Sequence, residues 1–318
     1  MIVVSKGCGK MKKLIVVILT LILLSGCAAP KKYSVTWYDT FDTVVTFSGY
    51  AEPRSAFDQA STAVHDELIR LHRIFDKYHP ADGVNGVYAA NHGETALEPE
   101  LVELLAFCDA LYGQTRRRTD PRMGALLGVW HEYREAGVEL PPSERLERAA
   151  ADRTQLDMGA VAKGYAVERA AQIAQKTMPS FLIDAGGNIR VGSAPEDGRK
   201  GWTVGINNPE QDGILAKLLV SDLSVVTSAV DQRYYEVDGQ RYHHLIDPDT
   251  HRPGGDFLQV TIITGDSGLA DYLSTAVCLL PYDEGRELIE SMDGVDAIWV
   301  KGNGEVLMTD GVSARLVR

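Results

Sequence analysis

Apolar residues recur along this chain with two periods. In "SAFDQASTAVHDELIRLHRIFDKY" (55–78), Phe57, Ala60, Val64, Leu68, Leu71 and Phe75 share one face at helical spacing and predict a long amphipathic helix. "PELVELLAFCDALYGQT" (99–115) predicts a second, and "PPSERLERAAADRTQLDMG" (141–159) holds a helix followed by a strand-like entry. "LDMGAVAKGYAVERAAQ" (156–172) reads as a helix that becomes ordinarily amphipathic only from Val167. "VTWYDTFDTVVTFSGY" (35–50) alternates instead, as a strand does. Strand-like runs with turn signals between them follow in "SFLIDAGGNIRVGS", "GWTVGIN", "LLVSDLSVVTSAV", "RYYEV", "RYHHLID" and "LQVTIIT". "GLADYLSTAVCLLP" and "DEGRELIESMD" return to the helical period, and "DAIWVK" and "VLMTDGV" close as a hairpin around Gly302-Asn303-Gly304. No repeat, linker or low-complexity break interrupts 35–318. The pattern predicts one α/β domain of the mixed α+β kind, with mixed sheets flanked by helices and no regular βαβ alternation.

Composition fits this picture. The 318 residues are 45% hydrophobic and 24% charged, enough for a full core. A net charge of −12 argues against nucleic-acid binding, and the one basic run, Arg116–Arg118, is too short to change that. The N-terminus stands apart. In "MKKLIVVILTLILLSGCAAP" (11–30), two lysines precede an apolar run from Leu14 to Leu24, shorter than a membrane span needs. Leu24-Ser25-Gly26-Cys27 then resembles a lipobox. Residues 1–26 are therefore read as a signal peptide starting at Met11, Cys27 as the lipid-bearing first residue, and 27–34 as a tether. This implies attachment to a bacterial membrane on its periplasmic or extracytoplasmic side; plain cleavage and an uncleaved anchor are the alternatives. Cys108 and Cys278 sit in apolar helical contexts and read as buried free thiols rather than a disulfide.

Three stretches carry chemistry. Gly159 and Gly164 bracket the start of the 156–172 helix, where each costs about 1 kcal/mol against alanine. A helix start offers free N–H groups and partial positive charge, glycines admit a close ligand, and Lys163 adds a full charge. These features suit a phosphorylated ligand, with Asp157 free to take a hydroxyl or ring N–H; a tightly packed helix start with a surface lysine explains them equally. On "GLADYLSTAVCLLP", Asp271, Ser274, Thr275 and Cys278 fall on one stripe of short polar groups. Asp271 and Thr275 offer oxygens to a hard cation such as Mg²⁺, unless Asp271 is simply a capped, half-buried acid. In "YHHLIDPDT", strand alternation sends His243 and His244 to opposite faces, so that one reaches a cleft as a general base. Gly186-Gly187 marks a bulge or a close backbone approach within a strand pattern.

Together these pieces resemble the ApbE family, the FAD:protein FMN transferases, over nearly all of 35–315. The similar segments are "FDKYHPADGVNGVYAAN", "DPRMGALLGVW", "LDMGAVAKGYAVERA", "DAGGNIRV", "VVTSAVDQRYY", "YHHLIDPDTHRP" and "LADYLSTA", in family order. The resemblance implies Mg²⁺-dependent cleavage of the FAD pyrophosphate. FMN passes as a phosphoester to a Thr or Ser hydroxyl of an exported electron-transport protein, and AMP is released. By matched position, Phe41, Tyr78, Arg118, Thr119, Asp120, Asp157, Lys163 and Ile246 would contact FAD. The Ala160 carbonyl, Asp271, Ser274 and Thr275 would hold Mg²⁺, and His244 matches the family histidine near the phosphates, the expected base. Arg117, Arg118, Thr119, Arg122-Met123, Ala125 and Ala229 depart from the pattern, which bears on the flavin or adenine pocket rather than the metal site. The same residues also suit an FAD pyrophosphatase giving FMN and AMP, or a lipid-anchored flavin-binding protein. No Asp-Gly-x-Thr acceptor stretch occurs in the chain, so it is not expected to flavinylate itself.

Overall fold

The computed structural model describes residues 30–317. The expected signal peptide at 1–26, its start at Met11 and the lipid site at Cys27 lie outside the described residues. The chain then enters β1 (Lys31–Thr40) directly, so Lys31–Ser34, expected in the tether, pair with Ala51–Ser48 of β2 (Thr43–Ala51). The single strand expected over 35–50 is thus a hairpin. Its two-residue turn, Phe41-Asp42, has φ of 54° and 49°, a left-handed pair that alternation alone does not reveal in residues other than glycine.

Helix α1 (Arg54–Phe75) buries the predicted face. It stops three residues short of Tyr78 because the Asp76 carboxylate accepts the Tyr78 and His79 N–H groups, at 2.7 and 3.2 Å, and turns the chain. Short α2 (Val87–Asn91) and α3 (Pro99–Tyr112) follow. A 3-10 turn (Pro121–Met123) leads into α4 (Gly124–Ala136), a helix not expected from periodicity. Next come α5 (Ser143–Ala151) and α6 (Ala162–Gln175), with a loop where the strand-like entry was expected. The remaining elements are β3 (Phe181–Ala185), β4 (Asn188–Val191), β5 (Trp202–Asn207), β6 (Ile214–Val220), β7 (Ser224–Ala229), β8 (Tyr234–Val237), β9 (Gln240–His243), β10 (Phe257–Thr264), α7 (Ser267–Cys278), α8 (Tyr282–Glu290), β11 (Asp296–Lys301), β12 (Val306–Met308) and α9 (Asp310–Ser313).

Eight strands form one antiparallel sheet in the order β1-β2-β3-β4-β7-β10-β11-β12. Both faces of its centre are covered. Val226 and Ile262 pack with α7, whereas their neighbours Val225 and Ile263 pack under the β5–β6 hairpin with Trp202, Val204 and Ile206. This is why β7 and β10 read as continuous rather than alternating apolar runs. The α1 and α6 helices cover β1–β3 through Val64, Leu68, Ala166 and Ala170, against Phe47 and Ile183. A separate cluster joins α4 and α5 to the β8–β9 hairpin through Met123, Trp130, Leu146 and Tyr235. Cys108 and Cys278 are buried and free. No described helix is long and apolar enough to cross a membrane.

Candidate active site

A cleft of about 890 Å³ opens where the β1–β2 turn, the loop after α1, the starts of α4 and α6, the β9 end and α7 meet. This volume lies within the range of small-molecule sites and near its upper end. Its floor is the contact between α6 and α7. The Gly164 N–H donates to Asp271 Oδ2 at 2.8 Å instead of closing back on the Ala160 carbonyl, which is left without its helical partner. A Cβ on Gly164 would run into Asp271 Cβ and the Ser267 carbonyl. Gly164 is therefore required for helix packing, not for ligand approach. The helix itself begins only at Ala162, so Gly159 and Ala160 stand in the turn before it.

The start of α7 is fixed by a buried fork. The Glu168 carboxylate accepts Arg190 Nε at 3.1 Å and the Ser267 N–H at 3.0 Å, and the Ser267 hydroxyl bonds Asn188 Oδ1 at 2.6 Å. Asp271 is only 6% exposed. Burial pushes its carboxyl above the usual range, against the pull of the Lys163 charge and the Gly164 N–H. Thr275, one turn on, also lines the cleft. Ser274 does not: fully buried, its hydroxyl donates to the Asp271 carbonyl at 2.9 Å and lies 2.7 Å from Ser228 Oγ of β7. The stripe expected on this helix therefore divides, with Ser274 and Cys278 turned into the packed interior.

Among the described residues no group of three His, Cys, Asp or Glu side chains is placed to hold a metal. The donors on the floor are one carboxylate, one hydroxyl and one carbonyl whose helical partner is taken. That set fits Mg²⁺, which prefers oxygen ligands and keeps several places for phosphate and water. It does not fit a site built from protein nitrogen and sulfur. Lys163 lines the cleft, makes no ion pair among the described residues, and draws on both Asp271 and Asp184 of β3.

The other expected residues also line the cleft, with different freedom. Tyr78 is 50% exposed, its ring 5.2 Å from that of His131. Phe41 donates its N–H to His72 Nδ1 at 3.2 Å from its left-handed turn, a backbone state that persists where surroundings enforce it. Ile246 is buried against the α4 cluster. Arg118 pairs with Asp247 and Asp249 at 3.0 and 2.8 Å while its Nε is buried without a partner. Thr119 and Asp120 are tied into packing, the first near the Tyr272 carbonyl, the second paired with Arg153 and capping the 3-10 turn. Gly186-Gly187 is not a bulge but a close approach: it forms the two-residue turn between β3 and β4, with φ of 59° and 86°, and a Cβ on Gly186 would run into Thr43 Oγ1.

The histidines depart from the alternation argument. Strand β9 ends at His243, and both His243 and His244 line the cleft. Burial lowers each to about 4, so both are neutral at pH 7. Their hydrogen bonds separate them instead. His244 Nδ1 faces the Arg233 carbonyl at 3.2 Å and so carries the proton, which leaves the Nε2 lone pair free. His243 Nδ1 accepts from the Leu245 N–H at 3.3 Å, which puts its proton on Nε2.

Sequence reasoning missed Lys77. Its Nζ lies 2.5 Å from Asp157 Oδ2, while Asp157 Oδ1 accepts the Gly159 N–H at 2.8 Å. Only the early end of α1 brings Lys77 to this wall, and nothing in the local pattern signals a partner 80 residues on.

Fold and cleft together define an α/β protein of the mixed α+β kind with one large cleft at the α6–α7 contact. The chain belongs to the ApbE family, whose sequence profile matches residues 33–299. It is 37% identical over 192 residues to an FAD:protein FMN transferase of Treponema pallidum, covering 57% of this chain and 53% of that protein. It is 33% identical over 159 residues to one of Klebsiella pneumoniae, covering 49% and 48%. The chain thus spans about half the length of these two relatives. The crystal structure of the ApbE protein of Thermotoga maritima superposes with a TM-score of 0.79 at 24% identity, covering 91% of this chain and all of that one, which shows the shared fold.

Proposed function

We propose that this protein transfers FMN from FAD to a Thr or Ser hydroxyl of an exported acceptor protein and releases AMP. The observation that carries the reading is the floor of the cleft: a buried Asp271 on α7 against the α6 start with its unpaired Lys163, in one cleft with a histidine whose Nε2 lone pair is free. The acceptor hydroxyl gives its proton to His244 Nε2 and its oxygen attacks the FMN phosphorus. The bridging P–O bond breaks, and the bridging oxygen leaves with AMP. Lys163 and the N–H groups at the α6 start hold the pyrophosphate charge. Asp271, Thr275 and the Ala160 carbonyl would hold Mg²⁺. Bound there, the metal supplies Lewis-acid stabilisation of charge on the bridging and leaving oxygens.

The direct test is to mix the protein with FAD, Mg²⁺ and a threonine acceptor peptide and weigh the peptide. A gain of one FMN supports the reading. Free FMN and AMP with an unmodified peptide indicate a pyrophosphatase, and neither indicates a flavin-binding protein.

His244→Ala should lower turnover about 10²–10⁴-fold, the usual loss of a general base, and His243→Ala much less. The reverse order would reassign the base. The pH profile adds a second check. With His244 at about 4 in the free protein, the acid limb of kcat/KM should lie near pH 4. A bound pyrophosphate favours the protonated ring, so the limb of kcat should lie at higher pH.

The site is proposed to work outside the cytoplasm on a lipid anchor at Cys27. Cys27→Ser should yield protein that no longer incorporates a fatty-acid probe. Unchanged labelling would place the anchor elsewhere.

A further inference from the structure

Resting on that reading, we propose that Lys77 is a positioning residue for the dinucleotide, which it serves by holding Asp157 and Tyr78 in their binding poses. Three observations meet at this side chain. Its ammonium lies 2.5 Å from Asp157 Oδ2, with both side chains more than four-fifths removed from solvent. Asp157 is fixed at its other oxygen by the Gly159 N–H at 2.8 Å, so the carboxylate is held at both ends and keeps one lone pair per oxygen for a ligand N–H or O–H. The same ammonium lies 5.0 Å from the centre of the half-exposed Tyr78 ring, within cation–π range. All three residues line the cleft.

A pyrophosphate brings about two negative charges into a cleft lined by six aspartates, Asp157 among them, and by Lys77, Lys163, Arg118, Arg134 and Arg233. Burial disfavours the Lys77 charge, yet the neighbouring Asp157 outweighs it and holds the ammonium protonated above the usual lysine range. Lys77 therefore offsets the Asp157 charge within the cleft. Removing it would leave a largely buried carboxylate unpaired beside an anionic ligand, the costly half of breaking such a pair.

The test is a double-variant cycle read by flavin fluorescence on FAD titration, with the melting temperature followed in parallel. Lys77→Met is expected to weaken FAD binding at least about tenfold. Lys77→Met with Asp157→Asn should regain most of that loss, because the amide needs no counter-ion and still accepts a hydrogen bond. Lys77→Arg should stay within about threefold of wild type. A purely structural role would lower the melting temperature while the folded Lys77→Met protein binds FAD as wild type does. FAD binding by wild type together with an unaffected Lys77→Met, or a double variant no better than the single, overturns the inference alone. A wild type that does not bind FAD overturns the functional reading, and this inference with it.

Discussion

Asp271→Ala should abolish Mg²⁺-dependent FMN transfer while leaving most FAD binding in place. Asp271 provides the only formal negative charge among the proposed metal donors, and pyrophosphate cleavage develops charge that a metal clamp stabilises without proton transfer. Lys163, Asp157 and Tyr78 also line the cleft and remain for FAD. Burial raises the Asp271 carboxyl in the metal-free protein, so this side chain has more to gain from a divalent partner than an exposed acid would. Thr275→Val keeps the shape and loses the oxygen, and it should raise the Mg²⁺ requirement before it ends activity. Initial rates against Mg²⁺ concentration check both variants. Full turnover by Asp271→Ala, or by wild type in excess EDTA, would show α7 to be no more than a packed helix.

Gly164→Ala should be nearly as damaging, although it adds one methyl group and favours the helix by about 1 kcal/mol. The new Cβ meets Asp271 Cβ and the Ser267 carbonyl, so α6 and α7 must separate. Overpacking of this kind typically costs about 1–3 kcal/mol, more than the propensity gain. It also shifts Asp271, and a misplacement of about 1 Å can cost about 10²-fold in rate. Melting temperature and turnover should therefore fall together. A more stable and fully active variant would show that the two helices have room to spare.

Much of the fold was legible because strong periodicity survives in single elements. The α1 face, from Phe57 to Phe75, is the face that packs on the sheet. Helix α4 escaped because "GALLGVWHEYREA" carries two glycines, which mask the Leu126, Val129 and Trp130 face that it buries. Gly124 sits there because a Cβ would meet the backbone at Gln155 and Leu156, a reason visible only in three dimensions. The Phe41-Asp42 turn escaped because neither residue advertises a left-handed backbone. At the site, residue types were readable but their partners were not. The stripe on α7 looked uniform until β7 claimed Ser274, and the Asp157–Lys77 pair joins positions with no local relation. The two histidines were separated by tautomer rather than by strand face, because the strand stops at the first of them.

The placement of those histidines has a consequence for how such a site can change. The floor proposed for metal and phosphate belongs to the main body, where one carboxylate, Glu168, couples α6, the sheet and the α7 start. His243 closes β9, and His244 follows it, on a hairpin outside the eight-stranded sheet that leans on α4 through Trp130, Tyr235 and Tyr242. Foundation and tool-holder are thus separate parts. On the proposed reading, substitutions in the hairpin can retune the approach of an incoming hydroxyl while Glu168 keeps α6, the sheet and the α7 start in register.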